Sequence, residues 1–292
     1  MYYERMIIRP PSEANSFLLP VTIGCSHNKC TFCGTYLGVK FRIRPLKDIK
    51  QDIDRVAQNY SWSLRRVFLE EGDALICPQH RLVQVLNYLR KRFPYLDRVG
   101  TYATPQSALI KSIDELKELN QLGLKIAYMG VETGDEELLK KINKGANYDQ
   151  IVEAGRKLKQ AGITLSVTVI LGLGGVEGSQ NHALKTAQIL SDIDPDFAGA
   201  LTIILVPGTP LHQDQEEGRF KLISPFQSLE ELRLIIQKSN FTNCFFTANH
   251  ASNYLPIKAR LPQQKAEMLK LIDEVLAKKD MSRLRPEFTR AL

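Results

Sequence analysis

Apolar positions along the chain fall into two alternating patterns. Short runs rich in β-branched and aromatic residues occupy Leu18–Gly24, Arg66–Glu70, Arg98–Ala103, Lys125–Val131, Thr164–Leu171 and Phe197–Val206, with a weaker run at Phe241–Thr247. These predict strands. Between them, apolar residues recur at three and four, as in Leu82, Val85, Leu86 and Leu89, the mark of amphipathic helices. The helical stretches are Pro45–Tyr60, Pro78–Arg92, Ser112–Gln121, Asp135–Ile142, Asp149–Gln160 and Ser179–Leu190, then Ser228–Ser239 and Pro262–Lys278. Strand and helix alternate through at least six units, which favours a parallel sheet, because each crossover returns the chain in the same direction, and fits a barrel, a partial barrel or a doubly wound sheet. Unusual residues follow successive strand ends: Cys25, then Glu70–Asp73, Thr104, Glu132 and Gly172–Gly175. Functional groups gather at the C-terminal strand ends of α/β barrels. The expected fold is therefore α/β: a partial (β/α)6 TIM-type barrel with a C-terminal helical and strand lid. Its expected divisions are an N-terminal arm at 1–17, the barrel core at 18–210 and the lid and substrate-side extension at 211–292.

Composition changes this picture little. The 292 residues are 43% hydrophobic and 24% charged, which excludes a disordered chain. No run of 18 apolar residues occurs, so no membrane span is expected. Met1–Met6 lacks the layout of a signal peptide, so the expected location is the cytoplasm. The net charge is +7, and residues 1–66 carry 11 basic and 5 acidic side chains. An anionic ligand and a plain solvated face are both compatible with that excess. A strong basic stripe interleaved with aromatics is absent from the sequence pattern, so nucleic acid is possible as a partner but not favoured.

The candidate chemistry is concentrated in Cys25-Ser26-His27-Asn28-Lys29-Cys30-Thr31-Phe32-Cys33. Three of the chain's five cysteines lie in nine residues, at x4 and x2 spacings. Closely spaced thiolates on one loop can converge on one metal centre. Three of them leave a cubic iron–sulfur cluster one ligand short, and that open iron is a place for chemistry. Zinc with His27 as a fourth ligand is the competing reading. Cys77 and Cys244 stand alone and read as ordinary buried thiols.

This loop resembles the cluster-binding signature of radical S-adenosylmethionine (radical SAM) enzymes, with x4 in place of the usual x3 and Phe32 as the aromatic before the last cysteine. Glu71-Gly72-Asp73 resembles the element that receives the methionine amino group of SAM, with Asp73 as acceptor beside Gly72. Gly130-Val131-Glu132-Thr133-Gly134 is similar to a strand end of the elongator-type and coproporphyrinogen-dehydrogenase-like branch. Lys144, in Asn143-Lys144-Gly145, matches the basic element meeting the SAM carboxylate; a lysine in a helix's last turn, capped by Gly145, is the alternative. Gly172-Leu173-Gly174-Gly175 resembles the turn after the fifth strand, on which Thr168 would reach the ribose that Glu132 also serves. Val206 would border adenine.

The resemblance implies a [4Fe–4S] cluster held by Cys25, Cys30 and Cys33, and SAM cleaved to methionine and a 5′-deoxyadenosyl radical that takes hydrogen from an unidentified substrate. It implies an electron donor such as flavodoxin or ferredoxin. A small-molecule substrate is expected, with His250, Asn249 and His182 as candidate catalytic residues and Asn253 beside them. A second cysteine cluster is absent from the sequence, so auxiliary clusters are not expected. An iron–sulfur electron carrier or redox sensor needs only the cysteines, and an RNA-modifying radical SAM enzyme remains a further alternative.

Overall fold

The computed structural model describes residues 8–291; the Met1–Met6 stretch read above for a signal peptide lies outside them. Eight strands form one sheet: β1 (Phe17–Pro20), β2 (Arg66–Glu70), β3 (Arg98–Ala103), β4 (Leu124–Glu132), β5 (Thr164–Leu171), β6 (Phe197–Thr202), β7 (Cys244–Thr247) and β8 (Lys258–Leu261). They lie side by side in that order. The pairs β1–β2, β2–β3, β3–β4, β5–β6 and β6–β7 are parallel, and β8 runs antiparallel to β7. The helices are α1 (Leu46–Tyr60), α2 (Gln79–Arg92), α3 (Pro105–Leu109), α4 (Ile113–Gln121), α5 (Glu136–Lys141), α6 (Tyr148–Gln160), α7 (Gly175–Ile193), α8 (Pro210–Glu216), α9 (Pro225–Lys238) and α10 (Lys265–Lys278). No helix among the described residues is long and apolar enough to cross a membrane.

Two compact units are distinguished. The first comprises residues up to Asn28, Tyr36–Met129 and Ala154–Leu165; the second comprises Lys29–Thr35, Gly130–Glu153 and Ser166 onward. In the first, Leu82, Val85, Leu86 and Leu89 are buried on α2 at the predicted spacing. The inward faces of β2 to β4 bring Phe68, Tyr102 and Tyr128 together edge-on, with ring centroids 5.0 to 6.2 Å apart. Along β5, half-buried and buried residues alternate over the whole length. Leu165, Val167, Val169 and Leu171 are buried, which puts Ser166, Thr168 and Ile170 on the other face.

Three sequence expectations change. The first strand stops at Pro20, and Thr22–Ile23 leaves to pair with Arg42–Ile43 in a separate two-stranded ribbon. The sixth strand ends at Thr202 rather than Val206. Residues 211–292 supply β7 and β8 to the sheet as well as helices, so this segment is part of the framework and not only a cover. The apolar run Ile203–Val206 packs as a loop and not as a strand: Ile203 is buried and Leu205 partly buried in a cluster with Leu173, Leu211 and Phe220.

Candidate radical SAM site

The candidate residues divide between the two units. In the first, the chain leaves β2 through Glu70, and Glu71 adopts a left-handed φ of +79°, a conformation uncommon for a residue with a side chain. That turn grips the start of the cysteine loop. Gly24 N–H donates to Glu71 Oε2 at 2.8 Å, and Gly72 N–H donates to Gly24 O at 3.2 Å. A Cβ on Gly72 would stand 2.7 Å from Cys25 Cβ, so only glycine lets the loop approach this closely. Asp73 is fully buried. Its carboxylate accepts from Ser26 Oγ at 2.6 Å and Thr104 Oγ1 at 2.9 Å, and Thr104 N–H approaches at 3.3 Å. Burial raises its pKa, against the lowering effect of these bonds. The side chain thus ties the cysteine loop to the β3–α3 turn, which changes the expected picture of an open acceptor for an ammonium.

In the second unit, Cys30 and Cys33 lie on one bend closed by a Cys33 N–H to Cys30 O bond of 3.2 Å. Thr31 between them is strapped on both sides: its N–H donates to Ile142 O at 2.9 Å, and its O accepts from Leu211 N–H at 3.0 Å. Phe32 packs on the cluster of Leu138, Ile142, Leu173, Ile203, Leu211 and Phe220. A Cβ on Gly34 would fall 2.4 Å from Val206 Cγ1, so Val206 sits against the residue after Cys33. The Val206 carbonyl accepts from Thr209 Oγ1 at 2.7 Å and Thr209 N–H at 3.1 Å.

Glu132 ends β4 in the left-handed region, at φ +65°. Its Oε1 accepts from Lys144 Nζ at 2.8 Å, and both side chains are about nine-tenths buried. Gly130 makes the space: a Cβ there would meet Glu132 Oε1 at 2.0 Å and Lys144 Nζ at 3.0 Å. Lys144 does not lie in a helix's last turn. α5 ends at Lys141, and the left-handed Asn143 (φ +51°) caps it, with Asn143 N–H donating to Lys140 O and Lys144 N–H to Leu139 O. Lys144 then reaches back to the strand end. Thr168 faces away from the buried side of β5, as period two required.

His182 is corrected. It lies on α7 and is fully buried. Nε2 faces the Ile170 carbonyl at 3.0 Å, and a carbonyl only accepts, so Nε2 carries the proton. Nδ1 therefore accepts from Thr133 Oγ1 at 2.8 Å. Burial pushes the imidazole pKa down to about 4. Its place is structural: it joins the ends of β4 and β5. Asn253 is likewise a buried strut, donating to Ala200 O at 2.8 Å and accepting from Thr202 Oγ1 at 2.9 Å. Asn249 is exposed and His250 half-buried. His250 Nδ1 lies 3.0 Å from Ser252 Oγ, and burial followed by the nearby Arg285 charge lowers its pKa.

Sequence reasoning missed Glu231 on α9. Its Oε2 accepts from Gly172 N–H at 2.7 Å and its Oε1 from Ser179 Oγ at 2.6 Å, so it holds the glycine turn after β5. Burial pushes its pKa up to about 7. Only the fold brings it there, since 59 residues separate it from Gly172.

The thiols also sort themselves. Cys25, Cys30 and Cys33 are half-buried and free of disulfides, whereas Cys77 and Cys244 are buried, with pKa values pushed up to about 12. Among the described residues no three His, Cys, Asp or Glu side chains form a shell for a single metal ion. A four-iron cluster takes one thiolate per iron and does not require such a shell. The donor set, all sulfur on one polar loop, fits a cluster. The Glu132–Lys144 pair places one buried group of each sign at the end of β4.

The family model of the radical SAM superfamily matches residues 19–187. The chain belongs to the radical SAM superfamily. Members of that superfamily are enzymes that use a [4Fe–4S] cluster and SAM. An uncharacterized protein of Methanocaldococcus jannaschii is 25% identical over 234 residues, 75% of this chain and 71% of that one. The haem chaperone HemW of Bacillus subtilis is 20% identical over 215 residues, 69% of this chain and 56% of its own length. The solved structure of coproporphyrinogen III oxidase (HemN) from Escherichia coli superposes with a TM-score of 0.59 at 18% identity, covering 76% of this chain and 51% of that one. The radical SAM chain thus spans little more than half the length of the latter two. The shared fold is the radical SAM partial barrel with its parallel sheet.

Proposed function

We propose that Cys25, Cys30 and Cys33 hold the [4Fe–4S] cluster of a radical SAM enzyme acting on a small molecule in the cytoplasm. The observation that carries this is the sorting of the thiols: three half-buried on one polar loop, two sealed in the core. When bound, the cluster supplies one electron that splits the SAM sulfonium into methionine and a 5′-deoxyadenosyl radical, which takes a hydrogen atom from the substrate.

The chain's own residues bind and orient. Glu71 and Gly72 hold the Cys25 end of the loop, while Thr31 and Phe32 hold the Cys30–Cys33 end. Lys144 meets the SAM carboxylate and Glu132 the ribose, exchanging their mutual bond for ligand contacts of comparable strength. Thr168 adds a hydroxyl on the ribose side, and the Val206 backbone borders adenine. The Asp73 side chain fixes the turn whose backbone carbonyls receive the ammonium. Asn249 and His250 line the substrate side, and an electron donor such as flavodoxin or ferredoxin reduces the cluster. The test is iron and sulfide content after anaerobic reconstitution. Cys25→Ala, Cys30→Ala and Cys33→Ala should each lose cluster iron, and Cys77→Ala and Cys244→Ala should keep it. Full iron in Cys30→Ala removes the ligand assignment.

A further inference from the structure

The chain has one tryptophan, and it is on the surface: Trp62 is 70% exposed. It stands in the turn after α1. The ring of Tyr95, itself 48% exposed, lies 5.8 Å away at a tilt of 51°. The Arg65 guanidinium sits 5.1 Å from the centre of the Tyr95 ring. Arg66, Arg90 and Lys91 are exposed on the adjoining ends of β2 and α2. The acids nearby are already engaged: Asp54 is 2.8 Å from Arg92, and Asp97 is 3.9 Å from Arg65. In the segments that carry the two rings, 60–66 and 90–97, five cations (Arg65, Arg66, Arg90, Lys91 and Arg92) stand against one acid, Asp97.

The platform is held in place. Ser61 Oγ donates to Arg92 O at 2.7 Å, tying the turn that carries Trp62 to the end of α2. An Arg65 guanidinium N–H donates to Tyr95 O at 3.2 Å, and Asp97 N–H donates to Arg65 O at 2.8 Å. Exposed rings fixed in this way offer stacking faces at little further ordering cost. Large exposed aromatics gathered on one patch call for a partner.

We propose that this surface of the first unit binds single-stranded nucleic acid, with bases stacking on Trp62 and Tyr95 and phosphates meeting Arg65, Arg66, Arg90 and Lys91. Two observations select this partner over a protein. The Arg65 guanidinium lies over the Tyr95 ring and the segments bearing the two rings are rich in cations, and charged residues are depleted from the buried centre of a protein interface. Stacking rings edged with cations are the recurring features of single-strand binding surfaces. The residues come from segments 30 apart in sequence, around Arg65 and Tyr95, so the footprint is assembled by the fold and no basic stripe appears in the chain. It lies where β2 and β3 begin, about 17 Å along β2 from the Glu71–Asp73 turn. The inference stands independently of the reaction proposed above.

The lone tryptophan is its own reporter. A 12-nucleotide single-stranded RNA titrated into the full chain should quench its fluorescence to saturation. Anisotropy of the labelled strand should show Trp62→Ala weakening binding about tenfold or more, the loss of one stacked base. Arg65→Gln with Arg66→Gln should lower the slope of log affinity against log salt by about one to two. Trp62→Phe should retain part of the affinity, since it keeps a ring, and serves as the control for folding. Four results would each overturn the proposal: no quenching and no anisotropy change; unaltered binding by Trp62→Ala; equal binding of a duplex of the same length; or a dimer in sedimentation that shields Trp62 from quencher, which would make the patch a self-interface.

Discussion

Lys144 Nζ donates to Glu132 Oε1 at 2.8 Å in a space kept open by Gly130. A strand end and the residue after a helix cap are thereby locked together, each about nine-tenths buried. Removing one member leaves the other charge with few water contacts. Lys144→Ala and Glu132→Ala should each cost on the order of 3 kcal/mol of unfolding free energy. The double variant should cost clearly less than the sum, because it leaves no stranded charge. Urea denaturation of the three variants measures this. Strict additivity would mean that the pair is not coupled.

Gly130→Ala is the steric counterpart. Its methyl would overlap Glu132 Oε1 and press on Lys144 Nζ. Overpacking of this kind costs about 1–3 kcal/mol. SAM affinity should fall with it, by equilibrium dialysis on reconstituted protein, while cluster iron is retained. Unchanged SAM affinity would place the ligand away from the Glu132–Lys144 pair.

Glu231 and His182 give opposing pH dependences. Glu231 is an acid whose pKa rises on folding from 4.5 to about 7, so its neutral form is favoured in the fold and stability is lost as pH climbs through that window. His182 is a base whose pKa falls from 6.5 to about 4, so stability is lost as pH drops from 6.5 towards 4. Each amounts to about 3 kcal/mol at full extent. In the unmodified chain the slopes largely cancel between about pH 4.5 and 6.5. Glu231→Gln mimics the neutral acid and should reveal the His182 slope: melting temperature rising with pH across that range. A flat profile in this variant contradicts the assigned shifts.

Thiol reactivity should follow burial. In the metal-free folded protein, iodoacetamide followed by mass spectrometry should modify Cys25, Cys30 and Cys33 and spare Cys77 and Cys244, whose thiols are sealed and hard to ionise. Labelling of Cys77 without unfolding would contradict the division.

The parts of this site visible in the sequence were those written locally. The cysteine loop is nine consecutive residues, and β2, β3 and β5 kept their expected bounds because alternation and turn residues define them. Period two puts Ser166 and Thr168 on one face of β5, and the family resemblance singled out Thr168 between them. What escaped depends on distant partners. Glu231 reaches Gly172 across 59 residues, and no local pattern marks it. Asp73 looked like an open acceptor because Ser26 and Thr104, which occupy it, belong to two other loops. His182 looked accessible from its place near Gly175, but the strand ends on either side cover it. Lys144 seemed to end a helix because Gly145 is the usual capping residue, yet Asn143 takes that conformation first.

In the proposed reaction, Cys25, Cys30 and Cys33 act by holding the cluster at which SAM is cleaved. The most direct test is 5′-deoxyadenosine production by anaerobically reconstituted, dithionite-reduced protein, measured beside Cys30→Ala and Cys77→Ala. The account predicts 5′-deoxyadenosine and methionine in equal amounts from the unmodified protein and from Cys77→Ala, and none above background from Cys30→Ala. Undiminished 5′-deoxyadenosine from Cys30→Ala, or none from the unmodified protein with a full complement of cluster iron, would contradict it.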